Sequence, residues 1–304
     1  MLVVLAIHAA VTYGGRAAWR LIVPIAVLSL LKEISGGVGD YTFLLTGFRV
    51  GQIPVPAVGG WLVASLLALD FAHRATARLP GKWRGHLPIV LVLVDLFAWH
   101  LSNAIEPIAQ VAGWWRWNGE EAGPEFPRLA PGPWAVLIHW YVALTLIWIG
   151  CRGRRVRAAA ICLGAFLLVP LANTVIPNAG AGIAILAIAV ASLRLPGLHL
   201  DPAYVPLPPR NRAAALARPL PLVCLAVVLA TLWVYANAGP RPDLVRYLWP
   251  VAVLSCVPEL VPLARRMRPA TPARSDLDSG SPIALEPGFA AGAAASSASS
   301  PPPS

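Results

Sequence analysis

Residues 87–107 have the sequence LPIVLVLVDLFAWHLSNAIEP. Most of the stretch is apolar, with one carboxyl group, Asp95, near its middle and a second, Glu106, at its end. A helix of about 20 mostly apolar residues is long enough to cross the hydrocarbon core of a bilayer. A carboxyl group inside such a helix is costly and indicates a functional site. The stretch therefore predicts a membrane-spanning helix that carries chemistry.

The composition of the whole chain agrees with this prediction. Of its 304 residues, 57% are hydrophobic and 12% are charged, whereas soluble domains carry about 25% charged residues. This balance excludes a typical water-soluble enzyme, and the high hydrophobicity excludes a disordered chain. The net charge of +10 comes from arginines between apolar segments. Membrane topology explains them better than nucleic-acid binding, so no nucleic-acid partner is expected.

The apolar segments predict an all-α, polytopic transmembrane helix bundle of about eight or nine helices. The expected spans are 1–13, 19–32, 54–72, 87–105, 133–150, 156–175, 180–194, 219–238 and 246–264. The first and the seventh are short, which leaves the count open by one or two.

Basic residues between the spans predict their orientation. They cluster in alternate loops, whereas 33–53 and 106–132 are richer in acidic residues. By the positive-inside rule the basic loops face the cytoplasm, and these two segments face outward. We therefore expect a multi-pass protein of the inner (plasma) membrane. Residues 1–266 form the bundle in this prediction, and the Ala-, Ser- and Pro-rich residues 267–304 form a disordered cytoplasmic tail.

The two outward segments repeat one pattern. A glutamate ends an apolar helix, a Gly-x-aromatic-x-aromatic motif follows, a proline opens the next span, and a tryptophan lies seven residues further on. The spacings agree to within one residue, which predicts two parallel helix–loop–helix units at about 20–72 and 87–150. The first copy is Glu33, Gly39, Tyr41, Phe43, Pro54 and Trp61, and the second is Glu106, Gly113, Trp115, Trp117, Pro127 and Trp134. Repeats of this kind often hold a site between them.

Carboxyl groups are the candidate catalytic residues, namely Glu33 and Glu106 of the repeat, with Asp95 as a third. On one helix, Asp95 and Glu106 share a face about 16 Å long with Trp99 and Asn103. A desolvated carboxyl group can stay protonated and act as an acid. A purely structural role, in which Asp95 pairs with a neighbouring side chain, stays open.

The aromatic residues of the repeat have two interpretations. Tryptophan and tyrosine often form a belt at the membrane interface. Beside a buried acid, alternate rings on an extended stretch can instead bind an apolar substrate and stabilise a cation. We expect contacts with substrate from Tyr41, Phe43, Trp61, Trp99, Asn103, Trp115, Trp117 and His139. The cysteines and histidines show no metal-binding spacing, so no metal and no cofactor are expected.

The first copy of the repeat, from Glu33 to Trp61, resembles the first signature of the carotenoid-biosynthesis membrane protein family. That family includes the carotenoid 1,2-hydratases (bisanhydrobacterioruberin hydratase-like). The second copy, together with Asp95, is similar to the second signature, with Glu106-Pro107 where that signature has Asp-Pro. The resemblance implies an integral membrane hydratase, a lyase, which protonates a terminal isoprene double bond and adds water without a cofactor.

On this resemblance, which covers roughly residues 20–150, Glu33 or Glu106 supplies the proton and the other glutamate orients the water. The substrate is a carotenoid or other isoprenoid dissolved in the bilayer. Membrane lipid and other pigment-synthesis enzymes are the expected partners. Three alternatives stay open: a membrane lycopene cyclase that uses the same protonation, a transporter of a lipid or small solute, and a structural partner in a pigment-synthesis complex.

Overall fold

The computed structural model describes residues 2–36, 41–44, 48–51, 53–77, 79, 81–117, 132–150, 155–176, 183, 187, 190, 198–205 and 219–267. The chain divides into two units, Met1–Arg265 and Arg266–Ser304. The first unit contains the helical bundle. The second unit corresponds to the predicted tail, which lies almost wholly outside the described residues.

Helices dominate the described part of the chain, so the predicted helical class is confirmed. They are α1 (Leu2–Tyr13), α2 (Gly15–Gly36), α3 (Val55–Thr76), α4 (Leu87–Val111), α5 (Gly132–Gly150), α6 (Arg155–Val175), α7 (Leu220–Ala238), the single turn α8 (Pro242–Val245) and α9 (Leu248–Met267). Each expected span except 180–194 coincides with one of these helices, and most of 180–194 lies outside the described residues.

Two helices in the described part of the chain are long and apolar enough to cross a membrane, by length and composition: α3 and α4. Helices α1, α5 and α7 contain shorter apolar stretches, at Leu2–Tyr13, Trp140–Gly150 and Leu222–Ala238. The eight or nine spans expected from the sequence are more numerous. Charged residues explain part of this difference: α2 is long enough to cross a membrane, but it carries Arg16, Arg20, Lys32 and Glu33.

Short strands follow α2 and α4, which the prediction of helices alone did not include. In the described part of the chain they are β1 (Tyr41–Phe43), β2 (Arg49–Val50), β3 (Ile53–Pro54) and β4 (Trp115–Trp117). β2 and β3 form a hairpin that leads into α3. β1 pairs with β4, far away in the sequence. The extended backbone predicted for the alternating aromatic residues is confirmed at β1 and β4.

Helices α2 to α5 form a ring in which α2 and α4 each pack on both α3 and α5. The contact between α3 and α4 is the most extensive. Both helices carry small residues that are fully buried, such as Ala72 on α3 and Ala98 on α4. The rings of Phe71 and Phe97 stack between these helices, with centroids 5.1 Å apart. This packing places α3 between the ends of α2 and α4, where the two glutamates of the repeat lie.

Helix α2 is apolar on two opposite faces. One face is buried against the bundle through Leu21 and Ile25 and ends at Glu33. Along the other face, exposed apolar side chains recur every three or four residues, at Trp19, Val23, Val27, Leu31 and Ile34. The charged side chains of α2 lie toward its two ends, at Arg16, Arg20, Lys32 and Glu33. A helix that is apolar on both sides between such ends is typical of a membrane span or of the core of a large protein. We call the five exposed apolar residues the outer stripe of α2.

The segment 198–205 is joined to the start of α4 by backbone hydrogen bonds on both sides of His86. His86 and His199 lie opposite each other in an antiparallel bridge, with their ring centroids 5.1 Å apart. The imidazole of His86 is buried. Burial, together with the neighbouring His199, lowers the pKa of His86 below its usual value.

Candidate functional site

Strands β1 and β4 bring the two copies of the sequence repeat together. The register is antiparallel and pairs Tyr41 with Trp117, Thr42 with Arg116 and Phe43 with Trp115. The first aromatic position of each copy therefore lies opposite the second aromatic position of the other copy. The middle residues, Thr42 and Arg116, lie opposite each other. A local two-fold axis through the β1–β4 ribbon therefore relates β1 to β4.

Helix α4 ends in a glycine that turns the chain into β4. Gly113 has a φ of +67°, which only glycine adopts without steric cost. Trp114 N donates to Ala109 O at 2.8 Å and Gly113 N donates to Gln110 O at 3.1 Å. These two bonds form a Schellman end, which satisfies the last carbonyls of the helix. The positive φ explains why the motif has a glycine at this position of the second copy. Gly39 of the first copy lies outside the described residues.

Glu33 lies near the end of α2, and its side chain is 1% exposed. Lys32 Nζ lies 3.1 Å from Glu33 Oε1, and Trp61 Nε1 of α3 donates to the same oxygen. The Lys32 ammonium also lies 4.9 Å from the centroid of the Trp61 ring. Trp61 meets the ring of Tyr141 of α5 edge to face, with the centroids 6.0 Å apart. Helices α2, α3 and α5 therefore fix the position of this carboxyl group together.

Glu106, near the end of α4, is also buried. Its Oε1 accepts hydrogen bonds from Trp115 Nε1 at 2.8 Å and from Gln110 Nε2 at 3.1 Å. Gln110 lies one helical turn further along α4, and Trp115 lies in β4. The second copy of the repeat thus holds its glutamate with a tryptophan of the ribbon. The first copy uses a tryptophan of the following helix, Trp61.

Both glutamates line one cavity, which has a volume of about 550 Å³. Small-molecule sites typically enclose about 300–1,000 Å³. The wall comes from α2, α3, α4 and the β1–β4 ribbon, and it is mostly apolar. Its polar and charged side chains other than indoles are Lys32, Glu33, Ser102 and Glu106.

Aromatic rings surround the two carboxyl groups in this wall, namely Phe43, Trp61, Trp114 and Trp115. A pair of carboxyl groups can donate and accept a proton during one reaction. Ring faces can stabilise a positive charge that develops nearby. The cavity therefore suits acid–base chemistry on an apolar molecule.

The structure brings several of the residues predicted from the repeat into this one wall: Glu33, Phe43, Trp61, Glu106 and Trp115. These residues come from both copies of the repeat, and the cavity lies between the copies. The side chains of three other predicted residues lie outside the described part of the chain: Tyr41, Trp117 and His139.

Three predicted residues of α4 are described and do not line the cavity: Asp95, Trp99 and Asn103. The cavity-facing side of α4 consists of Leu101, Ser102, Ile105 and Glu106. Asp95 is buried on α4 about 16 Å from Glu106, toward the start of the helix. Asp95 and Trp99 lie before the last turns of α4, to which the cavity is confined, whereas Asn103 lies next to Ser102 on a different side of the helix. Of the expected common face, only Glu106 lines the cavity.

Sequence reasoning missed Lys32, Ser102, Gln110 and Trp114. Lys32 was detectable, because it is a lysine directly before a glutamate in an otherwise apolar stretch of helix. Gln110 was detectable as a side chain one turn after Glu106. Trp114 occupies a spacer position of the Gly-x-aromatic-x-aromatic motif, and nothing in the repeat distinguishes it.

No protein-family model, curated protein or solved structure matches the chain. The function is therefore inferred from the chemistry of the cavity and from the resemblance of the repeat motifs.

Proposed function

We propose that this chain is a multi-pass protein of the inner membrane that adds water to a terminal isoprene double bond of a carotenoid or related isoprenoid. The observation that carries this proposal is the pair of buried glutamates, Glu33 and Glu106, in the wall of one apolar, aromatic-lined cavity. The resemblance of both repeat copies to the carotenoid-biosynthesis membrane protein family supports the choice of substrate.

The outer stripe of α2 supports the membrane location. A continuous apolar surface along a helix is unfavourable in water and needs a partner or lipid to cover it. In this proposal the other long helices also span the bilayer beside α3 and α4, which makes seven spans. The two short spans expected from the sequence, 1–13 and 180–194, bring the number to eight or nine. The positive-inside rule orients the basic loop 73–86 toward the cytoplasm and the cavity toward the outer face. The tail 267–304 is cytoplasmic in this arrangement.

The chemistry follows from the residues of the wall. One carboxylic acid protonates the terminal double bond, which leaves a tertiary carbocation. The rings of Phe43, Trp61 and Trp115 stabilise this cation. The second glutamate accepts a proton from a water molecule while the water oxygen bonds to the cation. One C–H and one C–O bond form, while the π bond and one O–H bond of water break. These steps need no metal or cofactor.

The polar part of the wall favours hydration over cyclisation, the alternative with the same first step. Lys32 and Ser102 line the cavity beside the glutamates and offer hydrogen-bonding groups to a water molecule. In a cyclase, an internal double bond has to reach the cation before water does. A wall that binds water beside the cation works against that outcome.

Pigment mass analysis tests the proposal. The chain is expressed in a bacterium that accumulates lycopene, beside Glu33→Gln and Glu106→Gln variants present in the membrane at equal levels. We expect a product heavier by one water, with its yield lowered about a hundredfold or more in each variant, because each loses an acid–base group. A product of unchanged mass and altered spectrum would establish cyclisation instead. Unchanged lycopene in the presence of well-expressed protein would contradict hydration of lycopene and favour a transport function.

Gly59 and Gly60 offer a matched pair of variants for the role of the cavity. Both lie in α3, and a Cβ atom added to either meets no atom within 4 Å. Of the two, Gly60 lines the cavity. We expect Gly60→Phe to fill the cavity and lower the product yield about tenfold or more, a barrier increase of about 1.4 kcal/mol. Gly59→Phe should leave the yield near that of the wild type, and equal losses would place the substrate elsewhere.

A further inference from the structure

Three buried hydroxyl groups near the cavity have no hydrogen-bond partner in the described part of the chain. They belong to Ser65 of α3 and to Tyr141 and Thr145 of α5, which are 0%, 4% and 1% exposed. A buried hydroxyl group without a partner is costly, and most buried polar groups are bound either by protein or by an internal water molecule. The three hydroxyl groups therefore point to a polar occupant between α3 and α5.

Ser65 and Thr145 lie at a common level of these two helices. The helices run in the same direction, because the end of α5 and the start of α4, which follows α3, both bond to the segment 198–201. The rings of Trp61 and Tyr141 meet edge to face, with centroids 6.0 Å apart. Ser65 follows Trp61 by four residues and Thr145 follows Tyr141 by four residues. Each therefore lies about 6 Å further along the same face of its helix.

Tyr141 connects this level with the cavity. Trp61 donates to Glu33 Oε1 and contacts the Tyr141 ring. The Glu33 carboxyl group also interacts electrostatically with the Tyr141 hydroxyl group. Ser65 directly follows Ala64, which lines the cavity, although Ser65 itself does not. The hydroxyl groups therefore lie behind the cavity wall, on the side of α3 that faces α5.

The open side of the cavity offers little to a water molecule. The exposed residues of its wall are apolar or aromatic, namely Pro56, Gly60, Ile105 and Trp114. In the proposed membrane location this side faces lipid, which suits the entry of an isoprenoid chain. Hydration also consumes water, and the buried hydroxyl groups are the polar groups nearest to Glu33 on the opposite side of α3.

We propose that Ser65, Tyr141 and Thr145 bind an internal water molecule that supplies the hydration reaction. This inference rests on the proposed function. Internal water molecules make about three hydrogen bonds, which matches the three hydroxyl groups. In each turnover one water molecule passes the Tyr141 hydroxyl group into the cavity beside Glu33. Its oxygen bonds to the tertiary cation, and one of its protons passes to a carboxylate of the cavity. The three residues act on the water and not on the isoprenoid, so they are positioning residues.

Infrared spectroscopy of the purified protein in lipid bilayers tests the water site without substrate. Water labelled with the heavy oxygen isotope shifts the O–H stretching bands of bound water and leaves those of protein hydroxyl groups unchanged. In difference spectra against the wild type, we expect an isotope-sensitive band for each of Ser65→Ala, Tyr141→Phe and Thr145→Val. Absence of this band for any of the three variants would overturn the site.

Thr76→Val is the matched control for Thr145→Val. Thr76 is also buried, at 2% exposure, but its Oγ1 donates to Ala72 O at 2.9 Å. We expect no isotope-sensitive band for this variant, and a band equal to that of Thr145→Val would contradict the assignment.

The stability of Thr145→Val gives a second measurement with the opposite sign for a dry site. Removal of a buried hydroxyl group without any partner stabilises a protein, whereas removal of a group that binds internal water does not. We therefore expect a lower denaturation midpoint for Thr145→Val in detergent micelles. A midpoint above that of the wild type would show that the site is dry and would overturn the proposal.

The composition of the pigment products tests whether the bound water is used. A cation that water does not reach reacts with an internal double bond or loses a proton, and either product has the mass of lycopene. We expect Tyr141→Phe to lower the hydrated share of the converted pigment about tenfold or more, because water is no longer positioned beside the cation. Thr76→Val should keep the wild-type share, and an unchanged share in Tyr141→Phe would contradict the use of this water.

The two assays separate this inference from the proposed function. The infrared bands do not depend on any substrate, so their presence with unchanged lycopene would retain the water site and reject hydration of lycopene. Hydrated product without the bands would retain the function and reject the site.

Discussion

Trp115 contributes two separable features to the cavity. Its indole ring forms part of the wall, and its N–H group donates to Glu106 Oε1 at 2.8 Å. Phenylalanine at this position keeps an aromatic ring and lacks the donor. Trp114 next to it also lines the cavity, but it is 41% exposed, and its indole makes no hydrogen bond to the residues that the structure describes. Phenylalanine substitutions at these two neighbouring positions therefore separate the role of the aromatic ring from that of the N–H donor.

We expect Trp115→Phe to lower the free energy of unfolding by about 1–3 kcal/mol, because a buried carboxyl group loses a hydrogen-bond donor. Denaturant unfolding in detergent micelles measures this change, and the pigment assay should show a parallel loss of product. Trp114→Phe should stay within about 0.5 kcal/mol of the wild type, as is usual for exposed positions. Equal effects of the two substitutions would show that the N–H of Trp115 does not support Glu106.

At the scale of single residues, the acids and the rings of the candidate site were predicted, including Trp61 and Trp115, whose N–H groups donate to the acids. The other two partners of the acids, Lys32 and Gln110, were not predicted. Glu33 and Glu106 stand out because carboxyl groups are rare in apolar helices. Lys32 is noticeable in the sequence, but its contact with Glu33 is not predictable, because a lysine near a helix end usually extends its ammonium toward water. Its orientation toward Glu33 depends on Trp61, which reaches it from another helix. That contact is not a property of local sequence.

Among the structural elements, the helices were predictable and the strand pairing was not. Hydropathy alone locates α3 and α4 to within a few residues at most of their ends. Strands of three residues are too short for a periodic pattern to identify their partners. The β1–β4 ribbon joins residues that are more than 70 positions apart, which local sequence does not specify. Phe43 and Trp115 of this ribbon form part of the cavity wall, so the extent of the cavity was not predictable from local sequence either.

The contact of the segment 198–205 with the start of α4 makes the free energy of unfolding depend on pH. His86 is buried, and burial together with His199 lowers its pKa in the folded protein. In the unfolded chain His86 takes up a proton near the usual histidine value of about 6.5. Below that pH the unfolded state therefore binds more protons than the folded state, and the free energy of unfolding falls. Above it both states are neutral at this residue, and the contribution is absent.

We therefore expect acidification through pH of about 6.5 to destabilise the wild type more than His86→Gln. Unfolding midpoints measured over a pH series in detergent test this difference. His199→Gln should keep most of the effect, because burial is the larger cause of the shift. Parallel pH profiles of the wild type and His86→Gln would contradict the prediction.

On the scale of the whole molecule, a buried polar network ties α1 and α9 to α3. His8 Nε2 of α1 lies 2.9 Å from Asp70 Oδ1, and Arg74 Nε donates to Asp70 Oδ2 at 2.8 Å. Arg74 Nη1 donates to Ser255 O of α9 at 2.8 Å and lies 3.7 Å from Glu259 Oε1. The pair formed by Asp70 and Arg74 is visible in the sequence as an i,i+4 spacing on one helix. The links to the other two helices are not, because they depend on how the bundle packs.

We expect Asp70→Ala to lower the free energy of unfolding by about 3–5 kcal/mol, because it leaves Arg74, whose side chain is 13% exposed, without its nearest carboxylate. Denaturant unfolding in detergent micelles measures this change. Asp243→Ala is the matched control, since it breaks an ion pair with Arg241 in which the aspartate side chain is 48% exposed. That change should cost about 0–1 kcal/mol. A loss for Asp70→Ala as small as that of the control would show that the network does not hold the bundle together.

The two-fold register of the β1–β4 ribbon bears on the origin of this chain. A strand that pairs antiparallel with its own counterpart about a central residue needs no partner of different sequence. A shorter ancestral chain with a single helix–strand–helix unit would form the same ribbon with a second identical copy, as an isologous homodimer does. Duplication and fusion of such a gene would convert the dimer into one polypeptide and free its halves to diverge. Lys32 before Glu33 and Ile105 before Glu106 are then a divergence that no homodimer can have, because two identical chains carry the same residue at equivalent positions.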